Sequence, residues 1–148
     1  MSERKLHAPN SCCALARALD IVGDHWTMLI LRDLGLRGCH EYKELLASPE
    51  GISTNILSDR LKKLEQGDLV GSMPHPTHGR RKLYYLKQKG KDLLPVVLQL
   101  FLWGDAWVEG ADMPDRLRSA LGKGIDATMD RLHERMEAWE QEFGMTIS

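Results

Sequence analysis

Three groups of side chains in this 148-residue chain have the chemistry to do something: the thiols, one polar helical face and a block of cations. The thiols are Cys12, Cys13 and Cys39. A thiolate can attack an electrophile or ligate zinc, but the spacing favours neither role. No C-x-x-C occurs, and adjacent cysteines chelate poorly beside C-x₂-C spacing. No Cys/His/Asp arrangement points to a nucleophilic centre. The chain is therefore expected not to be an enzyme, with no metal site and no cofactor. Three cysteines make no disulfide framework, and in a reducing compartment they stay free thiols.

The polar face lies in "GISTNILSDRLKKLEQGDLV", Gly51 to Val70. Leu57, Leu61 and Leu64 recur at helical spacing and define a buried side. Asn55, Asp59, Lys62 and Gln66 point away from it, with Ser58 on the flank. Asn and Ser exchange hydrogen bonds with base edges, and Lys reaches guanine acceptors or phosphate. Asp59 suits a cytosine amino group or a neighbouring lysine on the same helix. An ordinary solvated helix carries such residues too, so the face alone does not decide its use.

Net charge is −1, yet its distribution is uneven. Residues 1–91 hold 15 Lys/Arg against 10 Asp/Glu, and residues 92–148 hold 5 against 11. Between Arg60 and Lys91 nine cations face two carboxylates, Glu65 and Asp68. Such a block inside a near-neutral protein points to a local polyanion site, with a solvated surface as the plainer alternative.

These groups need elements to hold them. "CALARALDIVG" is a short amphipathic helix ended by Gly23, and Asp24 suits the N-cap of the next. "HWTMLILRDLGLR" is apolar from Trp26 to Leu31, which predicts a central core helix with Arg32 and Asp33 emerging at the surface and Gly38 ending it. "CHEY" fits a short strand, and "YKELLAS" a helix of about two turns stopped by Pro49 and Gly51. Ser53 caps a helix from Thr54 to Gln66, closed by Gly67. "LVGSMPH" and "RKLYYLK" flank Pro76 to Gly79 as a hairpin with a basic tip. "GKDLLPVVLQLFLWGDAWVEG" reads as one long apolar helix, with Pro95 in its first turn or so. After a break at Asp112 to Pro114 come a short helix, a Gly122–Gly124 break and a second helix. This order is the plan of a winged helix-turn-helix, whose second helix enters the major groove. The predicted fold is mainly α with one small β-hairpin (α+β).

"CALARALDIVGDHWTMLILRDL", "GISTNILSDRLKKLEQGDLV" and "LYYLKQKGKDLLPVVLQLFLWG" resemble, in this order, the opening, recognition and wing segments of the HxlR family of bacterial winged-helix transcriptional regulators. The resemblance runs from about Cys13 to Trp107. Three features depart from it. Ala14 stands where the family usually has Pro. Glu41-Tyr42 stands where Arg-Phe is usual and a phosphate contact would be made. About forty residues follow the long helix.

The resemblance implies a sequence-specific regulator that binds double-stranded DNA as a homodimer on an inverted-repeat operator, with recognition helix 53–66 in the major groove and wing 74–83 on the backbone or minor groove. The candidate contacts are Ser53, Thr54, Asn55, Ser58, Arg60, Lys62 and Lys63 on the helix. His78, Arg80, Arg81 and Lys82 are those on the wing. Two other readings stay open: a repressor answering a non-thiol ligand, and a winged helix used for protein contacts, for which a neutral wing would be the mark. In part of the family the opening cysteine senses oxidants or electrophiles, which makes Cys13 a candidate sensor; it sits where the first helix begins, with Arg17 one turn on. The alternative is an inert thiol.

Two units are expected, 1–110 with the DNA-binding fold and its dimerisation helices, and 111–148 as a helical extension. Ile125, Met129, Leu132, Met136, Trp139 and Phe143 alternate spacings of four and three. That seam suits packing on the long helix or on a partner chain, or a simple intrachain cap. With no signal-peptide pattern and no membrane-length apolar run, the expected location is the cytoplasm, with no membrane partner.

Overall fold

The computed structural model describes residues 5–145, so the ends of both expected units, 1–4 and 146–148, lie outside the described residues. Helix α1 (Ala14–Val22) buries no side chain. Its apolar residues look outward: Leu15, Leu19 and Ile21 are exposed. Asp24 is not itself the N-cap expected of it, a place Trp26 takes, but from three residues before Thr27 it holds the start of the next helix. Its carboxylate accepts from the Trp26 and Thr27 N–H groups at 3.0 and 3.1 Å and from the Thr27 hydroxyl.

Helix α2 (Thr27–Gly35) is the central core helix, with Ile30, Leu31 and Leu34 buried. Two expectations for it need correction. Asp33 does not reach the surface. It is 2% exposed, with Arg32 Nε at 2.9 Å and Arg37 Nη1 at 3.3 Å from its carboxylate. Arg32 also turns inward, grasping Glu50 at 2.6 and 3.0 Å and Ser48 at 3.0 Å. A carboxylate is tolerated in such a place only when cations and donors surround it. The helix also ends at Gly35 rather than Gly38. A Cβ at Gly35 would come within 2.5 Å of the Leu94 side chain, so a residue without one lets a later helix cross there. Gly38, at φ +66°, then turns the chain.

The expected short strand is a single bridge, Glu41 to Leu83. Helix α3 (Tyr42–Leu46) is five residues, shorter than two turns. Helix α4 (Thr54–Gln66) has the predicted bounds. Strands β1 (Val70–Pro74) and β2 (Lys82–Leu86) pair antiparallel from Val70–Leu86 to Pro74–Lys82. The long helix expected after them is interrupted. It forms α5 (Gln88–Lys91) and α6 (Leu94–Trp107). Pro95 explains the break, because its ring collides with the carbonyl four residues back and it has no N–H to donate.

Helices α7 (Asp115–Leu121) and α8 (Ile125–Glu142) are the last two elements among the described residues. Met113, Leu121, Met129, Leu132 and Met136 join the same buried cluster as Leu31, Leu57, Leu94 and Leu98. The seam on α8 thus packs within the chain, on the long helix α6 and on α7. Three polar contacts fasten it. Arg135 donates to the Gly35 and Leu36 carbonyls at 2.9 and 2.5 Å, satisfying the open C-terminus of α2. Trp139 stacks on His40, with ring centroids 3.6 Å apart. Glu140 lies 2.5 Å from Lys91. Among the described residues no helix is long and apolar enough to cross a membrane. The architecture is that of a winged helix-turn-helix: helices α3 and α4 form the turn pair, and β1–β2 the wing.

Candidate nucleic-acid interface

Helix α4 is held by its leucine stripe; Leu57, Leu61 and Leu64 are at most 3% exposed. The Ser53 hydroxyl accepts from the Ile56 N–H at 3.3 Å. That leaves its own proton free for an incoming acceptor at the positive end of the helix. Thr54, Asn55, Ser58, Lys62 and Lys63 are exposed, as the periodicity predicts.

The side chains on that face are not equally free. Tyr42 reaches across from α3, its hydroxyl 3.1 Å from the Thr54 carbonyl and 2.9 Å from Ser58 Oγ. A phenol has one proton. If it goes to the carbonyl, Ser58 must donate to Tyr42 and keeps only acceptor capacity outward. Sequence reasoning missed Tyr42 as part of this face. Its signal was an aromatic residue with a polar tip at the start of the helix preceding the recognition helix.

Arg60 is turned sideways. Its Nε donates to Asp24 at 2.8 Å and its Nη1 to Asp59 at 2.5 Å. Asp59 also lies 3.3 Å from Lys63, so it takes the intrahelical partner foreseen for it. Burial pushes the Asp24 carboxyl up, but hydrogen bonds from Thr27, Arg60 and two backbone N–H groups outweigh it and bring the pKa down to about 2. The pair ties the α1–α2 turn to the recognition helix.

The basic block divides along the same lines. Lys87 pairs with Asp68 at 3.1 Å, and Lys89 donates to the Gly67 carbonyl at 2.8 Å, closing the C-terminus of α4. Lys91 is buried against Glu140, so its count toward a polyanion surface is corrected. The outward cations are those of the wing and the middle of α4. His78, Arg80, Arg81 and Lys82 are all exposed. The tip is shaped by main-chain bonds from His75 N–H to the Arg81 carbonyl and from Arg81 N–H to the His78 carbonyl, both 2.9 Å.

Two clefts flank the wing. One, about 340 Å³, lies between α4 and β2 and is lined by Tyr42, Ser58, Lys62, Gln66, Lys82 and Tyr84, among others. The other, also about 340 Å³, lies between the start of α3 and the wing, where Lys43, Arg80, Arg81 and Lys82 surround Glu41. The structure thus brings helix face and wing together on one cationic side. No group of His, Cys, Asp or Glu that could hold a metal occurs among the described residues.

Cys13 stands apart from this surface, at the N-cap of α1, and is exposed. Its thiol pKa is lowered by the N–H groups of Ala16 and Leu15 at the helix start, rather than by Arg17. Cys39 behaves oppositely, with burial and the nearby Asp33 raising its pKa.

Residues 21–112 match the family described as HxlR-like helix-turn-helix. The uncharacterized HTH-type transcriptional regulator Rv3095 of Mycobacterium tuberculosis is 34% identical over 101 residues, covering 68% of this chain and 63% of that protein, less than two thirds of its length. The HTH-type transcriptional regulator YodB of Bacillus subtilis is 31% identical over 101 residues, covering 68% of this chain and 89% of YodB. The reduced form of YodB superposes with a TM-score of 0.54 at 31% identity, over 69% of this chain and all of that one. A diamide-treated form of YodB has also been solved. The crystal structure of PA1607, a candidate transcription factor, superposes with a TM-score of 0.64 at 32% identity over 73% of each chain.

Proposed function

The chain belongs to the HxlR-like helix-turn-helix family, and we propose that it works as a dimeric, sequence-specific DNA-binding transcriptional regulator. The observation that carries this reading is the shared cationic side made by the exposed face of α4 and the wing. On it, α4 lies in the major groove and reads bases through Asn55, Ser58 and Lys62. Ser53, Thr54 and Lys63 take phosphates near the helix. His78, Arg80, Arg81 and Lys82 follow the backbone or the minor groove. Arg60 contributes by holding α4 against the α1–α2 turn.

Dimerisation is supported by exposed apolar side chains on two helices. Leu15, Leu19 and Ile21 on α1, with Val96, Leu100, Trp103 and Trp107 on α6, are exposed; Trp107 is 78% exposed. Monomers rarely leave so much aromatic and aliphatic area in water. A second copy of this chain covers it, and the two-fold axis presents two α4 helices to an inverted repeat.

Cys13 gives this interface a chemical input. It begins α1, the helix that would lie in the dimer contact, and its thiolate is favoured by the helix start. Modification there would shift α1 and so the spacing of the two recognition helices. YodB, solved both reduced and diamide-treated, is a relative in keeping with a thiol response. Cys13 itself precedes the residues matched to the family.

The direct test is a gel shift with the DNA upstream of the protein's own gene, repeated at raised salt. Retarded complexes that survive excess random competitor and weaken with salt are expected. Equal competition by random DNA would remove the claim of sequence specificity.

A further inference from the structure

Glu41 is a carboxylate in an unfavourable place. It sits in the cleft with Lys43, Arg80, Arg81 and Lys82, on the side of the molecule that would meet phosphates. It cannot swing away with its backbone. Its residue bridges Leu83 of β2, the Tyr84 N–H donates to the adjacent His40 carbonyl at 2.7 Å, and its own N–H donates to Glu44 at 3.0 Å. One carboxylate oxygen, Oε1, is buried and makes no hydrogen bond. Its nearest cation is Arg81 Nη1 at 3.6 Å, beyond hydrogen-bond reach but within ion-pair distance. The Arg81 side chain remains half exposed.

We propose that Glu41 is a positioning residue, the built-in counter-ion of Arg81, which draws that guanidinium back from the DNA backbone and trims the wing's indiscriminate attraction for phosphate. The proposal rests on the DNA-binding reading. Its physical basis is competition: Arg81 can neutralise a phosphate fully only by leaving Glu41, and Glu41 then faces the polyanion without the one cation among the described residues within ion-pair distance of it. Sequence-independent binding comes from phosphate neutralisation, whereas base contacts on α4 are untouched by this exchange. Glu41 therefore lowers affinity for operator and random DNA alike, so that the base contacts of α4 supply a larger share of the binding energy that remains.

The test measures binding of a random duplex by fluorescence anisotropy across a salt series, for wild type, Glu41→Gln, Arg81→Ala and the double variant. Glu41→Gln should bind several-fold tighter at low salt, with a slope steeper by about 0.9, one additional phosphate neutralised. In the Arg81→Ala background the same substitution should gain less than half as much on a logarithmic scale. Unchanged or weaker binding by Glu41→Gln, or an equal gain in both backgrounds, overturns the proposal. If Glu41→Gln melts lower than wild type, single variants of the wing decide. Arg81→Ala should then cost less affinity than Arg80→Ala, because Arg81 is already partly neutralised; an equal or greater loss overturns the proposal. A wild type that binds no duplex at any salt overturns the DNA-binding reading together with this one, while a binding wild type with an indifferent Glu41→Gln removes this one alone.

Discussion

The Lys91 ammonium lies 2.5 Å from the Glu140 carboxylate, with both side chains buried where the helix after the wing meets α8. The two residues are 49 positions apart, so the pair locks the C-terminal helix to the base of the wing. Removing one partner strands a buried charge. Glu140→Ala or Lys91→Ala should each lower stability by about 3–5 kcal/mol, whereas Lys91→Met with Glu140→Leu should cost much less than either alone. Denaturant unfolding of the three variants checks this; additive losses would mean that the charges are solvated.

Acid should loosen the recognition helix through Asp24. Its folded pKa is about 2, below the ordinary 3.8. A depressed carboxyl stabilises the fold at pH values above its unfolded pKa, and that contribution is lost as pH falls through the interval from about 4 to 2. In Arg60→Ala, which deletes one of the lowering hydrogen bonds, the Asp24 titration followed by NMR should move upward. The acid limb of the stability profile should flatten. An Asp24 titration unchanged by Arg60→Ala would break the link between the α1–α2 turn and α4.

The two halves of the DNA surface should fail differently. Asn55→Ala or Lys62→Ala should alter which sequences are preferred, each lost base contact costing about 1–3 kcal/mol against the matched base. Arg80→Ala should weaken binding to all sequences alike and flatten the salt slope by about 0.9. Randomised-site selection and salt titrations separate the two, and an unchanged preference profile for Asn55→Ala and Lys62→Ala would move the reading face elsewhere.

Light scattering should find twice the 16.8 kDa chain mass. Trp103→Asp, which puts a charge into the apolar face of α6, should return the chain to monomers and abolish footprints on paired half-sites spaced by about 10 base pairs or a multiple. A monomeric wild type at micromolar concentration would remove the two-fold arrangement.

Cys13 should carry any thiol response. Because the start of α1 lowers its pKa, it should be alkylated faster near neutral pH than Cys39, whose pKa burial raises. Diamide should change the operator affinity of wild type and of Cys12→Ser but not of Cys13→Ser. Equal responses in all three would dismiss Cys13 as the sensor.

What the sequence determined by itself is local. The leucine stripe of α4, the Ser53 cap, the hairpin bounded by Pro76 and Gly79 and the breaks around Pro114 and Gly122 depend on residues a few positions apart, whose periodicity and backbone preferences act wherever the segment lies. These suffice to order the elements of a winged helix and to nominate its polar face. Tertiary structure decided the fate of individual charges. Lys91 reads as a surface group because nothing near it in sequence announces its partner, a carboxylate from the last helix; Asp33 has Arg32 and Arg37 beside it in sequence, but only packing turns Arg32 inward to Ser48 and Glu50 and buries the cluster. Arg60 sits on the recognition helix yet is drawn aside by Asp24, 36 residues earlier. Tyr42 enters the reading face only because α3 crosses α4 at that point. A cation's role depends on whether desolvation is offset by a nearby anion, and that proximity comes from packing between distant segments, which periodicity does not encode.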